Sequence, residues 1–223
     1  MTLLDIGTVT KILAPDTILL DHGKRYRLGN IRVPADYSQS VIDVLGNKLL
    51  NTQAYIYSVH KDTSLADRYG IPLVYIVRKD GLWIQQELIS KGLAWAFNTE
   101  SSPELISLLK QIETQARIKR RGFWSNPTYA VKTPDNVQNY TNSFQIVQGK
   151  ILNVTAKQDY TYVNFGYDWR QDFTVSIKNN TRQLFNTDPQ TWVNKTVRIR
   201  GWVKDKNGPM IELTHPEQME FLK

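Results

Sequence analysis

The chain contains no cysteine, so neither a disulfide framework nor a thiolate metal site is open to it. Histidine is nearly as scarce. The three residues, at positions 22, 60 and 215, are far apart and lack the spacing of a zinc site. No apolar run reaches the roughly 18–20 residues that span a bilayer. The opening segment, Met1-Thr2-Leu3-Leu4-Asp5-Ile6, has neither the basic start nor the long apolar stretch of a secretory leader. The expectation is a protein without a membrane span, either cytoplasmic or the mature form of a periplasmic or organellar one. Asn-x-Ser/Thr triplets at Asn139, Asn153, Asn179 and Asn194 read as chance in a chain rich in Asn, Lys, Tyr and Ile.

What is present is length enough for one large or two small domains, and an excess of positive charge. The 223 residues carry a formal charge of +7, shared between the halves. Residues 1–130 hold 16 Lys and Arg against 12 Asp and Glu, and residues 131–223 hold 12 against 9. Such a surplus permits binding to a phosphate backbone, and it is equally what a solvated surface carries.

Taken in order, the first part predicts three short strands, Ile6–Leu13, Thr17–Leu20 and Arg25–Val33, broken at Ala14-Pro15-Asp16 and Asp21-His22-Gly23-Lys24. Val41, Val44, Leu45 and Leu49 recur at helical spacing, and residues 54–59 are strand-like. A turn at Asp67-Arg68-Tyr69-Gly70 feeds an apolar strand of Leu73, Val74, Ile76 and Val77. Residues 83–91 then read as a helix stopped by Gly92. Ser102-Pro103-Glu104 offers an N-cap, a first-turn proline and an early acid. Leu105, Leu108, Leu109, Ile112 and Ala116 supply one face of the helix that follows, which runs to about Arg121. Trp83 and Trp124 read as core. Residues 126–143 are polar, proline-bearing and without period, and read as a linker. Beyond it come five strands, Gln145–Val154, Tyr160–Phe165, Asp172–Ile177, Thr196–Lys204 and Pro209–Leu213, with a helical piece near 187–193 and a hairpin turn at Asp205-Lys206-Asn207-Gly208.

Several of these strings together resemble the staphylococcal-nuclease (thermonuclease) family over residues 6–125. They are Thr8–Ile18, Tyr26–Ala35, the Asp67–Gly70 turn, the run of Gly81, Glu87, Leu88, Gly92, Leu93 and Ala94, and the closing stretch Glu113–Trp124. The fold class so implied is mainly β with helices: a nuclease-type OB barrel with three helices in residues 1–125, the linker 126–143, and a smaller OB-like barrel in 144–223. The second barrel rests on strand count, the helix after the third strand, and the similarity of Val197–Val203 to the fourth strand of OB modules.

The resemblance also implies a chemistry: phosphodiester hydrolysis with one calcium ion held by two aspartates and a carbonyl, two arginines on the phosphate, and a glutamate for water. Asp16 and Arg27 stand at the first aspartate and first arginine. Arg32 stands at the second aspartate, Ala35 at the glutamate and Ile71 at the second arginine. Sliding the register by one brings Asp36 near the glutamate position and repairs nothing else. The expectation is a vestigial catalytic set of Asp16 and Arg27, no metal, the calcium site lost, and no other cofactor. The alternative is an active nuclease whose metal cage is rebuilt from neighbours such as Asp36, Asp43 or Asp67.

The same residues have plainer readings. Asp16 suits a hairpin turn, and Arg27 on its strand can pair with Asp16 or Asp67. Arg68 and Tyr69, which in the family flank the nucleotide, also mark the turn. The expected partners are nucleic acid or proteins of a larger assembly, with the oligomeric state open. Candidates for nucleic-acid contact are Arg68 and Tyr69, the helix end Lys119, Arg120 and Arg121, and Arg170, Arg198 and Arg200 in the second barrel. There Tyr160, Tyr162, Phe165, Tyr167, Trp169 and Phe173 interleave with Lys157, Arg170 and Lys178. That pattern suits either base stacking or the filling of a small barrel.

Overall fold

The computed structural model describes residues 1–59, 65–98, 103–168 and 170–222. The expected N-cap Ser102, His60 and the aromatic Trp169 lie outside the described residues. The chain forms two compact units, Met1–Pro127 and Thr128–Lys223. No helix of the described residues is long and apolar enough to cross a membrane.

The first unit is a closed barrel of strands β1 (Thr2–Ala14), β2 (Thr17–Leu20), β3 (Arg25–Leu28), β5 (Gln53–Ser58) and β6 (Leu73–Arg78), in the ring order β1-β2-β3-β6-β5. Two residues, β4 (Ile31–Arg32), pair outside the ring with β7 (Trp95–Ala96). The expected strand Arg25–Val33 is therefore two. Asn30, in the left-handed region at φ 57°, breaks it, a conformation that asparagine tolerates better than most residues.

Closure depends on β1. Its first half pairs with β5 and its second half with β2, with register shifts at Leu3/Asp5, Val9/Lys11 and Ile12/Ala14 that let one strand turn a corner. The pair β3·β6 is parallel, and every other pair in the ring is antiparallel. Ile18, Leu20, Leu28, Ile56, Val74 and Ile76 fill the interior. Helix α1 (Ser38–Leu49) caps it with Val41, Leu45 and Leu49, four residues apart on one face.

Helices α2 (Ile84–Ser90) and α3 (Pro103–Ile118) pack against each other. The apolar face of α3 is rotated from the expected one. Ile106, Leu109, Glu113 and Ala116 are buried, whereas Leu108 is 44% exposed. The reason is Glu113, whose carboxylate accepts a hydrogen bond from the buried Ala96 amide at 2.9 Å and so turns a charged position inward. Trp124 is buried and Trp83 packs partly buried against the core.

The second unit is a seven-stranded sheet. β8 (Ser143–Lys150) pairs with β12 (Thr196–Asp205), and β9 (Asn153–Ala156) pairs with β10 (Tyr160–Asn164). The expected single strand Gln145–Val154 thus bends at Ile151-Leu152, so each half serves a different neighbour. β11 (Thr174–Lys178) joins β10 antiparallel and β13 (Pro209–Leu213) parallel, and β13 joins β12. A last strand, β14 (Met219–Phe221), lies against β12. After β11 come α4 (Asn179–Arg182) and a single helical turn, Pro189–Trp192, with Trp192 fully buried. Val163, Phe173, Val175, Val197, Ile199 and Ile211 belong to the core. The first unit thus closes as an OB barrel does, and each unit holds one parallel pair, β3·β6 in the first and β11·β13 in the second.

Much of the stretch expected as linker is engaged. The Lys132 amide donates to the Ile146 carbonyl, the Lys132 carbonyl accepts from the Gln148 amide, and Val137 is completely buried.

Two glycines join the end of α2 to the segment after α3. Gly92 (φ 65°) and Gly122 (φ 52°) face each other so closely that a Cβ on Gly92 would lie 2.1 Å from the Arg121 carbonyl oxygen. A Cβ on Gly122 would lie 2.1 Å from that of Gly92. Gly92→Ala and Gly122→Ala should each destabilise the first unit by about 2–4 kcal/mol, combining backbone strain with overpacking against rigid backbone. Denaturant unfolding followed by tryptophan fluorescence measures this, and an unchanged midpoint for either variant would contradict it.

Candidate functional site

At the mouth of the first barrel the turn Ala14–Thr17, the strand β3 and the Asp67–Gly70 turn converge on one side chain. Thr17 pairs with Arg27 across β2 and β3, and Arg27 pairs with Leu73 across β3 and β6. The barrel register thereby sets Arg27 between the turn carrying Asp16 and the turn carrying Asp67. Its Nε donates to Asp16 Oδ2 at 2.8 Å and its Nη2 lies 2.7 Å from the same oxygen. Its Nη1 donates to Asp67 Oδ2 at 2.9 Å.

Both carboxylates have further partners. Asp16 Oδ1 accepts from the Thr17 hydroxyl at 2.9 Å. Asp67 Oδ1 accepts from the Tyr69 amide at 2.8 Å and the Ile71 amide at 3.0 Å, while its carbonyl closes the turn by accepting from the Gly70 amide. Asp67 is thus both the anchor of its own turn and the second jaw on Arg27. The Asp67 side chain is 9% exposed. Burial acts to raise its pKa; the hydrogen bonds from Ile71, Arg27 and Tyr69 outweigh it and hold the carboxyl below the ordinary value of 3.8. For Arg27 burial acts downward, and Asp67 and Asp16 together outweigh it upward.

Of the three altered positions, Ile71 donates its amide to Asp67 and Arg32 feels the charge of Arg27. Arg32 is half-buried on β4 with its guanidinium 6.0 Å from the centre of the Phe97 ring. Burial first, and the positive field of Arg27 second, lower its pKa below the ordinary arginine value. Ala35 is exposed and opens a short helical turn, and Ile71 is half-buried at the end of the Asp67 turn.

These residues do not fit a hard divalent cation. Such an ion needs several anionic oxygens turned toward one point, whereas Asp16 and Asp67 both give oxygens to Arg27 and the next position supplies a guanidinium. Asp43 accepts from Gln39 at 2.8 Å, within its own helix. Among the described residues no group of three or more Asp, Glu, His or Cys is placed to hold a metal. What the arrangement can do chemically is fix two turns of the barrel mouth to β3 with charge-assisted hydrogen bonds.

Other sequence candidates fall elsewhere. Arg68 and Tyr69 are exposed, and the guanidinium lies over the Tyr69 ring at 4.8 Å. Lys119, Arg120 and Arg121 form an exposed basic end after α3, with Arg121 Nη1 donating to the Ser90 carbonyl at 3.2 Å. In the second unit Arg170 is exposed. Arg198 donates to Gln148 at 2.8 Å and lies 3.5 Å from Glu220. Arg200 is only 4% exposed, so its side chain presents almost no surface to a phosphate. Of the aromatics there, Phe165 and Phe173 are core, Tyr160 and Tyr162 are half-buried, and Tyr167 is 95% exposed. The stacking of Arg32 on Phe97 gave no signal in sequence, because nothing local links β4 to the segment after β7.

A closed barrel with α1 between its third and fourth strands, two further helices, and an Asp–Arg pair at the mouth defines a nuclease-type OB domain. Residues 19–126 match the family model described as staphylococcal nuclease homologue. Two curated relatives, one from Escherichia coli O157:H7 and one from Escherichia coli, each named "Uncharacterized endonuclease", are 28% identical over 126 residues. The match covers 54% of this chain and 77% of each relative.

The clamp has a pH signature. A carboxyl whose folded pKa is depressed stabilises fully above its unfolded value, and that contribution is lost as pH falls through the folded value. Asp67→Asn should therefore lower stability at neutral pH, and the gap to the parent should close as pH drops below about 4. Unfolding midpoints measured from pH 7 downward check this. A gap that stays constant into strong acid would show that the Asp67 charge contributes nothing.

Proposed function

We propose that the nuclease-type domain of this chain binds rather than cleaves, and that its partner is nucleic acid. The observation that carries this reading is the clamp. The two carboxylates best placed to hold a metal are neutralised by Arg27, and Arg27 itself is tied down where a phosphate clamp would need it available. Arg32, Ala35 and Ile71 replace a ligand, a carboxylate and a second arginine that the family's chemistry uses. One missing preorganised donor costs on the order of 10²–10³ in rate, and here the metal cage goes with it. The net charge of +7 and the exposed basic end at Lys119, Arg120 and Arg121 favour a polyanion over a protein assembly as partner.

A second reading, an active phosphodiesterase with a rearranged site, draws support from the endonuclease name that both relatives carry. Incubating the full chain with single-stranded DNA and RNA, with and without millimolar calcium, separates the two. The binding reading expects intact strands and a retarded complex whose affinity falls steeply with salt. Calcium-dependent cleavage that disappears in both Asp16→Ala and Arg27→Ala would overturn it in favour of the enzyme.

A further inference from the structure

The second unit, outside the residues covered by the family model, carries a groove of about 620 Å³. Its walls come from β9, β10, the loop after β10 and the turns on either side of the sheet. Tyr162 and Asn164 lie on β10, Asn153 on β9, Lys157 in the β9–β10 turn, and Lys206 and Asn207 in the β12–β13 turn. None of the lining residues is acidic. A cation therefore meets no carboxylate there, whereas an anion meets two exposed lysines.

Strand alternation explains the aromatic floor. Thr161 and Val163 point into the barrel, at 1% and 0% exposure, so Tyr160 and Tyr162 share the outer face. Their rings stack, with centroids 5.9 Å apart and planes 25° from parallel, and Lys206 Nζ lies 6.0 Å from the Tyr160 ring. Tyr167 completes the rim. A tyrosine 95% exposed covers no core. The loop that presents it is nevertheless pinned: the Asp168 amide donates to Asp172 Oδ2 at 2.7 Å, and Asp168 accepts from the Arg170 amide and the Gln171 side chain. A Cβ on Gly166 would fall 2.0 Å from Asp172 Oδ2, and one on Gly208 would fall 2.7 Å from the Gln171 backbone. Gly208 thus lets the β12–β13 turn approach the loop, and Gly166 lets Asp172 fold back over the loop's own start. Hydrogen bonds of Asp168 and Asp172 flank an aromatic ring held in water beside two lysines.

We propose that this groove binds single-stranded nucleic acid, with bases stacking on Tyr162 and Tyr167 and phosphates drawn by Lys157 and Lys206. The proposal rests on the reading of the chain as a nucleic-acid binder and locates its base-contacting surface. Stacking needs bases that are not already paired, which selects a single strand over a duplex. The amides of Asn153, Asn164 and Asn207 offer both donors and acceptors to base edges. A neutral sugar polymer would leave both lysines without a purpose.

The test uses the full chain, a fluorescein-labelled oligothymidylate, the corresponding duplex, and inorganic polyphosphate as a polyanion without bases. Binding is read by fluorescence anisotropy at about 50 mM and about 200 mM salt. Tyr167→Ala should weaken oligothymidylate binding about tenfold and leave polyphosphate binding unchanged, while Tyr167→Phe retains the parent affinity. Because Tyr167 is almost fully exposed, its loss does not endanger folding. Lys157→Gln with Lys206→Gln should weaken both ligands and flatten the logarithmic salt slope by about 1.4, at about 0.7 per contact. If the parent binds the strand and neither the tyrosine nor the lysine variants change it, the groove is not the site. The nucleic-acid reading then stands on the basic end of the first unit. If Tyr167→Ala weakens polyphosphate as much as oligothymidylate, stacking is refuted. If the parent binds no strand at about 50 mM salt, both the groove and the nucleic-acid reading fall.

Discussion

Arg27 is held by two aspartates that reach it from separate turns, and the mouth of the first barrel takes its shape from that contact. Asp16 belongs to the turn that ends β1, and Asp67 to the turn that leads into β6. A parallel pair, β3·β6, has no hairpin to fix it, so the register of the barrel at this end depends on side chains. The guanidinium fork supplies that fixation with three donors to two carboxylates. Asp67 does a second job at the same time, because its other oxygen closes the turn around Gly70 by accepting from the Tyr69 and Ile71 amides.

A catalytic centre asks the opposite of such residues. A metal cage keeps carboxylate oxygens turned toward a common point, and a phosphate clamp keeps its arginine free to meet developing charge. Here the charges are satisfied by one another, and Arg32 adds a second cation, half-buried, against Phe97. On the proposed binding reading, loss of hydrolytic chemistry and gain of a rigid scaffold are two sides of one rearrangement. The second unit lines its groove with an exposed tyrosine, two lysines and no acidic residue.

Much of the fold was legible because it rests on local pattern. The alternating strands around Ile18, Ile56 and Val74, the four-residue spacing of Val41, Leu45 and Leu49, and the turn glycines all act over a few residues. The clamp was half legible. Aspartate before threonine and arginine on the next strand named the pair, but the choice of Asp16 or Asp67 as partner could not be made without knowing that β3 lies beside β6. Glu113 shows the limit of periodicity. An apolar count puts Leu108 inside, and one buried hydrogen bond to Ala96 rotates the helix away from it. Arg200 fails for a related reason: a basic residue on a strand tells nothing about which face the rest of the unit covers. Lys206 and the groove asparagines were illegible because they come from separate elements that only the barrel brings together.

Calcium titration of thermal unfolding bears most directly on whether the nuclease chemistry is gone. A ligand that binds only the folded state adds stability by mass action, about 2.7 kcal/mol at a hundred times its dissociation constant. With Asp16 and Asp67 committed to Arg27, the unfolding temperature of the first unit should be the same in millimolar calcium, in millimolar magnesium and in chelator. A rise of several degrees specific to calcium, abolished by Asp16→Ala, would mean that the carboxylates leave Arg27 to hold a metal, and would contradict this account.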